Sequence, residues 1–451
     1  MAVEVTNWGR SIVSHPEAVI QVQGVDEIAG ILRNEEKYPS PVRAIGSNHS
    51  TTQCGVADGG TVVDMTKMNR ILDIGDNTVT AEAGALYIDV ATELEKRGLQ
   101  FHVNVELGNL TIGSAACGGT KDASMPGEFG QVCSYAVVIK MVTPAGELLE
   151  VTEKDPELLK IARSSYGLLG IVYEVTFKTQ KIRPMAMYHE TYTLDEFIKR
   201  LPELTDRGES MMLYLFPFLD KVSVEYRKYT DGTRFSKRFV WKIRNWTWKT
   251  FAPYFGYWVS KYIAIKPLRY FLVDRLNQLV QLVQKYILKG QGTSPTAQMI
   301  RYPDESDNTK YTFSIWAFPE AEYAKVLRGY FDFCKTYYRE QDYRCNMLNV
   351  GYRIFADDSS LFSYSHDGNV LTLDPVATGD PGWNEFIDAY NVYCSDNGGI
   401  PLFNQTKAVT SAQSKKAFGS KLDEFRKYQK QYDPKNRLPN EYFKERVLSE
   451  L

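Results

Sequence analysis

Paired cysteines are missing from this chain. Its six cysteines (Cys54, Cys117, Cys133, Cys334, Cys345 and Cys394) are scattered, and no CxxC pair occurs. That spacing excludes a zinc ribbon or a dithiol redox centre and fits free thiols in a reducing compartment. Histidine is scarce, five in 451 residues, and no two stand at metal-ligand spacing. An excess of one charge is also missing. Lys and Arg number 53 against 55 Asp and Glu, a net −2, so no overall basic character marks a nucleic-acid partner. No run of 18 apolar residues could cross a membrane. The opening stretch, MAVEVTNWGRSIVSHPEAV, has no apolar signal core, and the expected location is cytoplasmic. No GxGxxG follows the first β-like run, which argues against the doubly wound dinucleotide fold.

What is present is enough chain for two or three domains. Residues 16–182 alternate short β runs (VIQVQ, PVRAIG, TVVDM, AVVIKMV) with helical stretches, one of which, LYIDVATELEKRG, stops at Gly98. The expectation is an α+β domain over 1–182. Residues 183–451 read as a second α+β unit of long strands and helices, its tail returning to the first domain. Within it, residues 236–290 hold eleven Lys and Arg, a single acid (Asp274) and a high density of Trp, Tyr and Phe. Cations with amphipathic rings suit a membrane surface; a helical insertion packed on the cap, or an oligomer contact, is the plainer alternative.

Three small-residue loops carry the chemistry. The first holds Arg43, Ile45, Gly46, Ser47, Asn48, His49 and Ser50, with a lone histidine at the tip of a Gly-Ser turn. A surface turn with an incidental histidine is the plain alternative. The second holds Thr111, Gly113, Ser114, Ala115, Gly118, Gly119 and Thr120, and the third enters a strand at Gly170 and Ile171. Small side chains let a ligand lie along the backbone and take N–H bonds to phosphate oxygens. Three such loops in one α+β domain point to a long diphosphate cofactor.

In their order, these segments resemble the FAD-binding domain of the vanillyl-alcohol-oxidase / p-cresol-methylhydroxylase superfamily. The marks are Arg-x-x-Gly-Ser-x-His-Ser, Asp64-Met65 before Glu82-Ala83-Gly84-Ala85, Gly98-Leu99, Thr111-Ile112-Gly113, and Gly-Leu-x-Gly-Ile-Val. Tyr352–Asp358 and the closing Asp433-Pro434…Asn440–Phe443 resemble the aldonolactone and alditol oxidase branch. The resemblance implies a two-domain fold of the PCMH type, FAD carried covalently by His49, and oxidation of a carbon bearing a hydroxyl. It also places Arg353 and Lys407 on the substrate face as catalytic residues and leaves Lys121 facing the diphosphate.

Two departures bear on the substrate. Gly351 replaces an acid, and Asn404-Gln405-Thr406 replaces His-Trp-Gly, so groups that would hold a polyol are gone. The expected substrate is a larger or more lipophilic alcohol, and the protein is expected to act at the inner face of a membrane. Two rivals stay open: a non-covalent FAD reductase or dehydrogenase of a lipid C=C bond, and a non-catalytic membrane-surface protein keeping the flavin fold. The sequence leaves the electron acceptor and the oligomeric state open.

Overall fold

The computed structural model describes residues 3–231, 238–290, 292–303 and 307–449. Residues 236 and 237 of the basic aromatic stretch lie outside the described residues.

After a short antiparallel ribbon, Val5–Thr6 on Val13–Ser14, comes a small parallel sheet. Strand β1 (Ala18–Gln21) leads through helix α1 (Val25–Arg33) to β2 (Val42–Ile45), and β3 (Thr61–Asp64) inserts between them. Parallel neighbours need a crossover, and α1 supplies one, burying Ile28, Ile31 and Leu32. Asp26 and Glu27 in its first turn and Arg33 in its last oppose the helix dipole.

A second, antiparallel sheet follows: β4 (Ile71–Ile74), β5 (Thr78–Glu82), β6 (Leu99–Phe101), β7 (Ala136–Val142), β8 (Leu148–Thr152) and β9 (Ile171–Lys181). Its order is β8-β7-β9-β5-β4, with β6 also on β9. Helix α2 (Tyr87–Lys96) packs here and ends before Gly98, whose φ of +72° suits the residue after a helix terminus. The segment after it holds a finding that the sequence did not signal. Ile112–Cys117 forms a short helix, α3, because Ala and Ser inside the glycine-rich run still favour helix once Ile112 and Ala115 are buried.

The second unit is a seven-stranded sheet. Its strands are β10 (Met185–Thr193), β11 (Ser210–Phe216), β12 (Lys221–Tyr229), β13 (Trp316–Pro319), β14 (Asn349–Ile354), β15 (Val370–Leu373) and β16 (Ile400–Pro401), in the order β10-β12-β11-β14-β15-β13-β16. Strand periodicity gives the sheet two different faces. From β11, Met211, Leu213 and Leu215 enter a core with the helices 194–206, 323–341 and 383–396. Met212, Tyr214 and Phe216 point the other way, toward Leu348 and Trp248.

That second face is roofed by the basic aromatic stretch, which is helical: Arg238–Trp246, a π-turn over Thr247–Phe251, Ala252–Tyr262 and Lys266–Ile287. The C-terminal helices Ser411–Phe418 and Ser420–Tyr432 leave the cap and place Phe418, Leu422 and Phe425 in the first unit's core. Beyond them Arg437, buried, donates to the carbonyls of Ile31 and Leu32 at the end of α1, where last-turn acceptors need donors.

Candidate functional site

Two cavities meet between the units. The first, a cradle, is lined by the three small-residue loops and by Asn404 and Gln405. Ser47 Oγ donates to the Asn109 carbonyl and so ties the first loop to the second. Ser50 Oγ donates to the Asn404 carbonyl at 2.8 Å and ties it to the cap's last strand connection. A Cβ on Gly46 would stand 2.3 Å from Thr111 Oγ1, and one on Gly113 would stand 2.9 Å from the Ala83 Cβ. Only glycine permits those approaches.

Arg43 lines the cradle, but its guanidinium is committed to protein carbonyls. It donates to Cys54 at 2.9 Å, to Tyr166 at 2.6 Å, and to Gly167 and Leu438 at 3.4 Å. Burial lowers its pKa to about 10. It clamps the His49 loop to the third loop and to the C-terminal segment. His49 is also in the cradle wall. Its imidazole stacks on Trp8, centroids 4.7 Å apart and planes 20° apart, which fixes the ring's orientation. Sequence reasoning missed Trp8. Its only signal was an aromatic residue near the chain start.

Of the other expected cofactor residues, Ile45, Gly46, Ser47, Asn48, Ser50, Thr111, Gly113, Ser114, Gly118, Thr120 and Gly170 line the cradle. Ala115, Gly119 and Ile171 are not among its lining residues. Ala115 is fully buried, and Gly119 packs behind the cradle residues Asn404 and Tyr166 and against Leu402. At the start of β9, Val172 takes the place expected of Ile171. Cys117 packs as a small buried group, its thiol pushed up to about 11 by burial.

The second cavity lies between the cap sheet and the helical roof. Tyr214, Val350 and Tyr352 face it from the sheet, Trp248, Phe255, Val273 and Leu276 from the roof, and Tyr302, Tyr311 and Phe313 from the connecting segments. Leu107, Thr120 and Gln405 line both cavities and form the neck between them.

The two residues expected to be catalytic lie away from both cavities. Arg353 follows Tyr352 on β14, and strand alternation sends it to the opposite face. There its guanidinium meets the Glu320 carboxylate at 2.6 Å and the Thr205 carbonyl at 2.8 Å. Lys407 turns toward the helix 383–396, where Nζ donates to Asn384 Oδ1 at 2.8 Å. Neither side chain lines either cavity. Lys121, expected at the diphosphate, lines the second cavity instead. Its Nζ lies 3.1 Å from Asp374 Oδ2 and 3.6 Å above the Tyr352 ring.

The cradle suits a large ligand bearing hydrogen-bond donors. Side chains are kept short where the loops converge. Asn404 Oδ1 and Gln405 Oε1 are buried in its wall with no hydrogen-bond partner among the described residues. Buried acceptors of this kind are costly unless a ligand donates to them.

Comparison with known proteins agrees. Residues 16–152 match the family described as FAD binding domain. The chain is 29% identical over 218 residues to an L-gulono-1,4-lactone dehydrogenase of Mycobacterium tuberculosis, covering 48% of this chain and 50% of that one. It is 27% identical to L-gulonolactone oxidase of Bos taurus over 58% of this chain and 59% of that one. The chain thus spans about half the length of these relatives. A cholesterol oxidase from B. sterolicum shares the fold, with a TM-score of 0.77 at 15% identity over 99% of this chain and 97% of that one. The first unit is an FAD-binding domain. The relatives it matches are aldonolactone oxidases and dehydrogenases, in line with the resemblance read from the sequence.

Proposed function

We propose that this protein is an FAD-dependent oxidoreductase that oxidises the hydroxyl-bearing carbon of a lipophilic alcohol. The observation that carries the reading is the neck at Leu107, Thr120 and Gln405, where an aromatic-walled chamber opens directly onto the cofactor cradle. Bound FAD supplies an acceptor for hydride from carbon. The residues of this chain do the rest. The loops at Gly46–Ser50 and Thr111–Thr120 hold the cofactor, and His49, fixed flat against Trp8, carries it covalently. Tyr214, Trp248, Phe255 and Tyr311 exclude water and seat an apolar body.

The roof supports a lipid-like substrate and a membrane surface as partner. Among the described residues, 13 of the 19 exposed large hydrophobic side chains lie between Phe239 and Tyr286. Its one acid, Asp274, is occupied on the inner side by Arg344. The outward face therefore offers aromatic and aliphatic groups with Lys and Arg and no carboxylate, which suits an anionic lipid surface. No described helix is long and apolar enough to cross a membrane.

The test is anaerobic mixing of the FAD-loaded protein with a panel of polyols, aldonolactones and long-chain or sterol alcohols, following flavin absorbance. Bleaching by lipophilic alcohols supports the reading. Bleaching by polyols or lactones alone overturns the substrate class. Reduction only by a nicotinamide donor favours the C=C reductase, and failure to bind FAD sinks the enzyme reading.

A further inference from the structure

The wall of the second cavity is aromatic and aliphatic over most of its extent, with Glu106, Lys121, Asp122 and Asp374 set into it; Glu106 is taken by Arg244 and Asp122 by Arg227, which leaves the Lys121–Asp374 pair. Asp374 follows the last residue of β15, and its side chain is 3% exposed. One carboxylate oxygen, Oδ2, receives Lys121 Nζ at 3.1 Å. The other, Oδ1, is buried without a hydrogen-bond partner among the described residues. Lys121 is itself 4% exposed and rests on the Tyr352 ring. A carboxylate with one oxygen satisfied and the other bare, beside a ligand chamber, is an acceptor waiting for a donor. Lys121 is the direct neighbour of Thr120, a neck residue, so the pair sits where the chamber meets the cradle.

We infer that Asp374 is the catalytic proton acceptor for the substrate hydroxyl, and that Lys121 is the residue that positions it. The inference rests on the oxidoreductase reading above. The hydroxyl donates to Asp374 Oδ1. As the C–H hydrogen leaves carbon with its electron pair for the oxidised flavin, the O–H bond breaks and its proton passes to Oδ1. The C–O bond becomes C=O, so the alcohol loses one hydride and one proton. Lys121 stays on Oδ2 throughout and keeps the carboxylate turned toward the chamber.

Burial raises the Asp374 pKa, and Lys121 and the neighbouring Thr372 oppose that rise, so the carboxylate is a stronger base than an exposed one. The other titratable groups facing it are Tyr323, Tyr352, Tyr364 and Tyr390, all pushed well up by burial and therefore neutral. Asp122, beside Lys121, is occupied by Arg227 at 2.9 Å.

The experiment uses FAD-loaded protein and two probes, 1-decanol and decyl methyl ether, with tryptophan fluorescence as the binding readout and a Trp248→Phe control. Wild type is expected to bind the alcohol about tenfold more tightly than the ether, the worth of a hydrogen bond to a charged group. Asp374→Asn is expected to keep its flavin, lose that preference and slow flavin reduction about a hundredfold. Lys121→Met removes the cation that opposes protonation, so the acid limb of flavin reduction moves to higher pH. A merely structural lysine would leave that limb in place. The double variant Lys121→Met/Asp374→Leu buries no lone charge and is the folding control; it should melt near wild type and bind both probes alike. An unchanged preference in Asp374→Asn, or none in wild type, overturns the inference. If wild type and Asp374→Asn are reduced equally fast, the inference fails while the oxidoreductase reading stands. If no alcohol reduces wild type, the reading fails and takes the inference with it.

Discussion

The Arg244 guanidinium, carried by the first roof helix, lies 2.9 Å from Glu106 Oε2 on the segment that also lines the second cavity. Its side chain is wholly buried, and a second donor reaches the Gln298 carbonyl at 3.2 Å. The pair fastens the roof to the first unit. Glu106→Gln leaves a buried cation without its counter-charge and is expected to cost about 3–5 kcal/mol, read as a lower urea midpoint. The double variant Glu106→Leu/Arg244→Met should recover most of that loss.

His49→Ala separates covalent attachment from binding. Wild type should retain flavin fluorescence in a denaturing gel, and the variant should lose it while still binding FAD in the native state. Flavin that stays attached in the variant would move the anchor elsewhere.

Gly46→Ala tests the contact between the first two loops. The added Cβ would meet Thr111 at 2.3 Å, so one loop must move. FAD affinity is expected to fall at least about tenfold, equivalent to about 1.4 kcal/mol, measured by titrating apoprotein with FAD. Gly24→Ala, where the new Cβ meets nothing within 4 Å, is the matched control.

The outward face of the roof can be made polar without touching the chamber. Phe271, Leu282 and Tyr286 are exposed by 52%, 50% and 71%. Replacing all three with Ser should leave thermal stability nearly unchanged and abolish co-flotation with phosphatidylglycerol vesicles. Undiminished flotation would remove the roof as the lipid-facing surface.

His102 gives a pH signature. Its imidazole stacks on Tyr135, centroids 4.2 Å apart, and burial lowers its pKa to about 4. The unfolded chain therefore binds a proton more readily than the folded one. Stability is full above the ordinary histidine value and falls as pH drops toward 4. His102→Phe should flatten the melting-temperature profile across that window.

The parts of this molecule that could be read from residues alone are those where backbone chemistry dictates residue type. Gly46, Gly113 and Gly170 are needed wherever their neighbours stand, so the cradle was legible loop by loop. The substrate side was not, because it depends on register. A displacement of one position along β14 exchanges Tyr352 for Arg353 and turns every side chain to the other face. Lys407 lies away from the neck for a related reason: the turn after β16 brings Gln405 to the neck and carries Lys407 past it. Asp374 had no local mark at all. It acquires meaning from Lys121, 253 positions away in the chain. The roof was legible as basic and aromatic, but not as the wall of a chamber, since its inward residues are spaced by helices whose packing the sequence does not state.

The neck between the chambers has an optical consequence. With Leu107, Thr120 and Gln405 lining both chambers, whatever fills one changes the polarity felt in the other. A colourless guest that is never oxidised would still announce itself as a displaced flavin absorption band. The protein is in that sense a dye-based sensor of its own occupancy, and a library of alcohols, ketones and lipids can be ranked by colour before any turnover is sought.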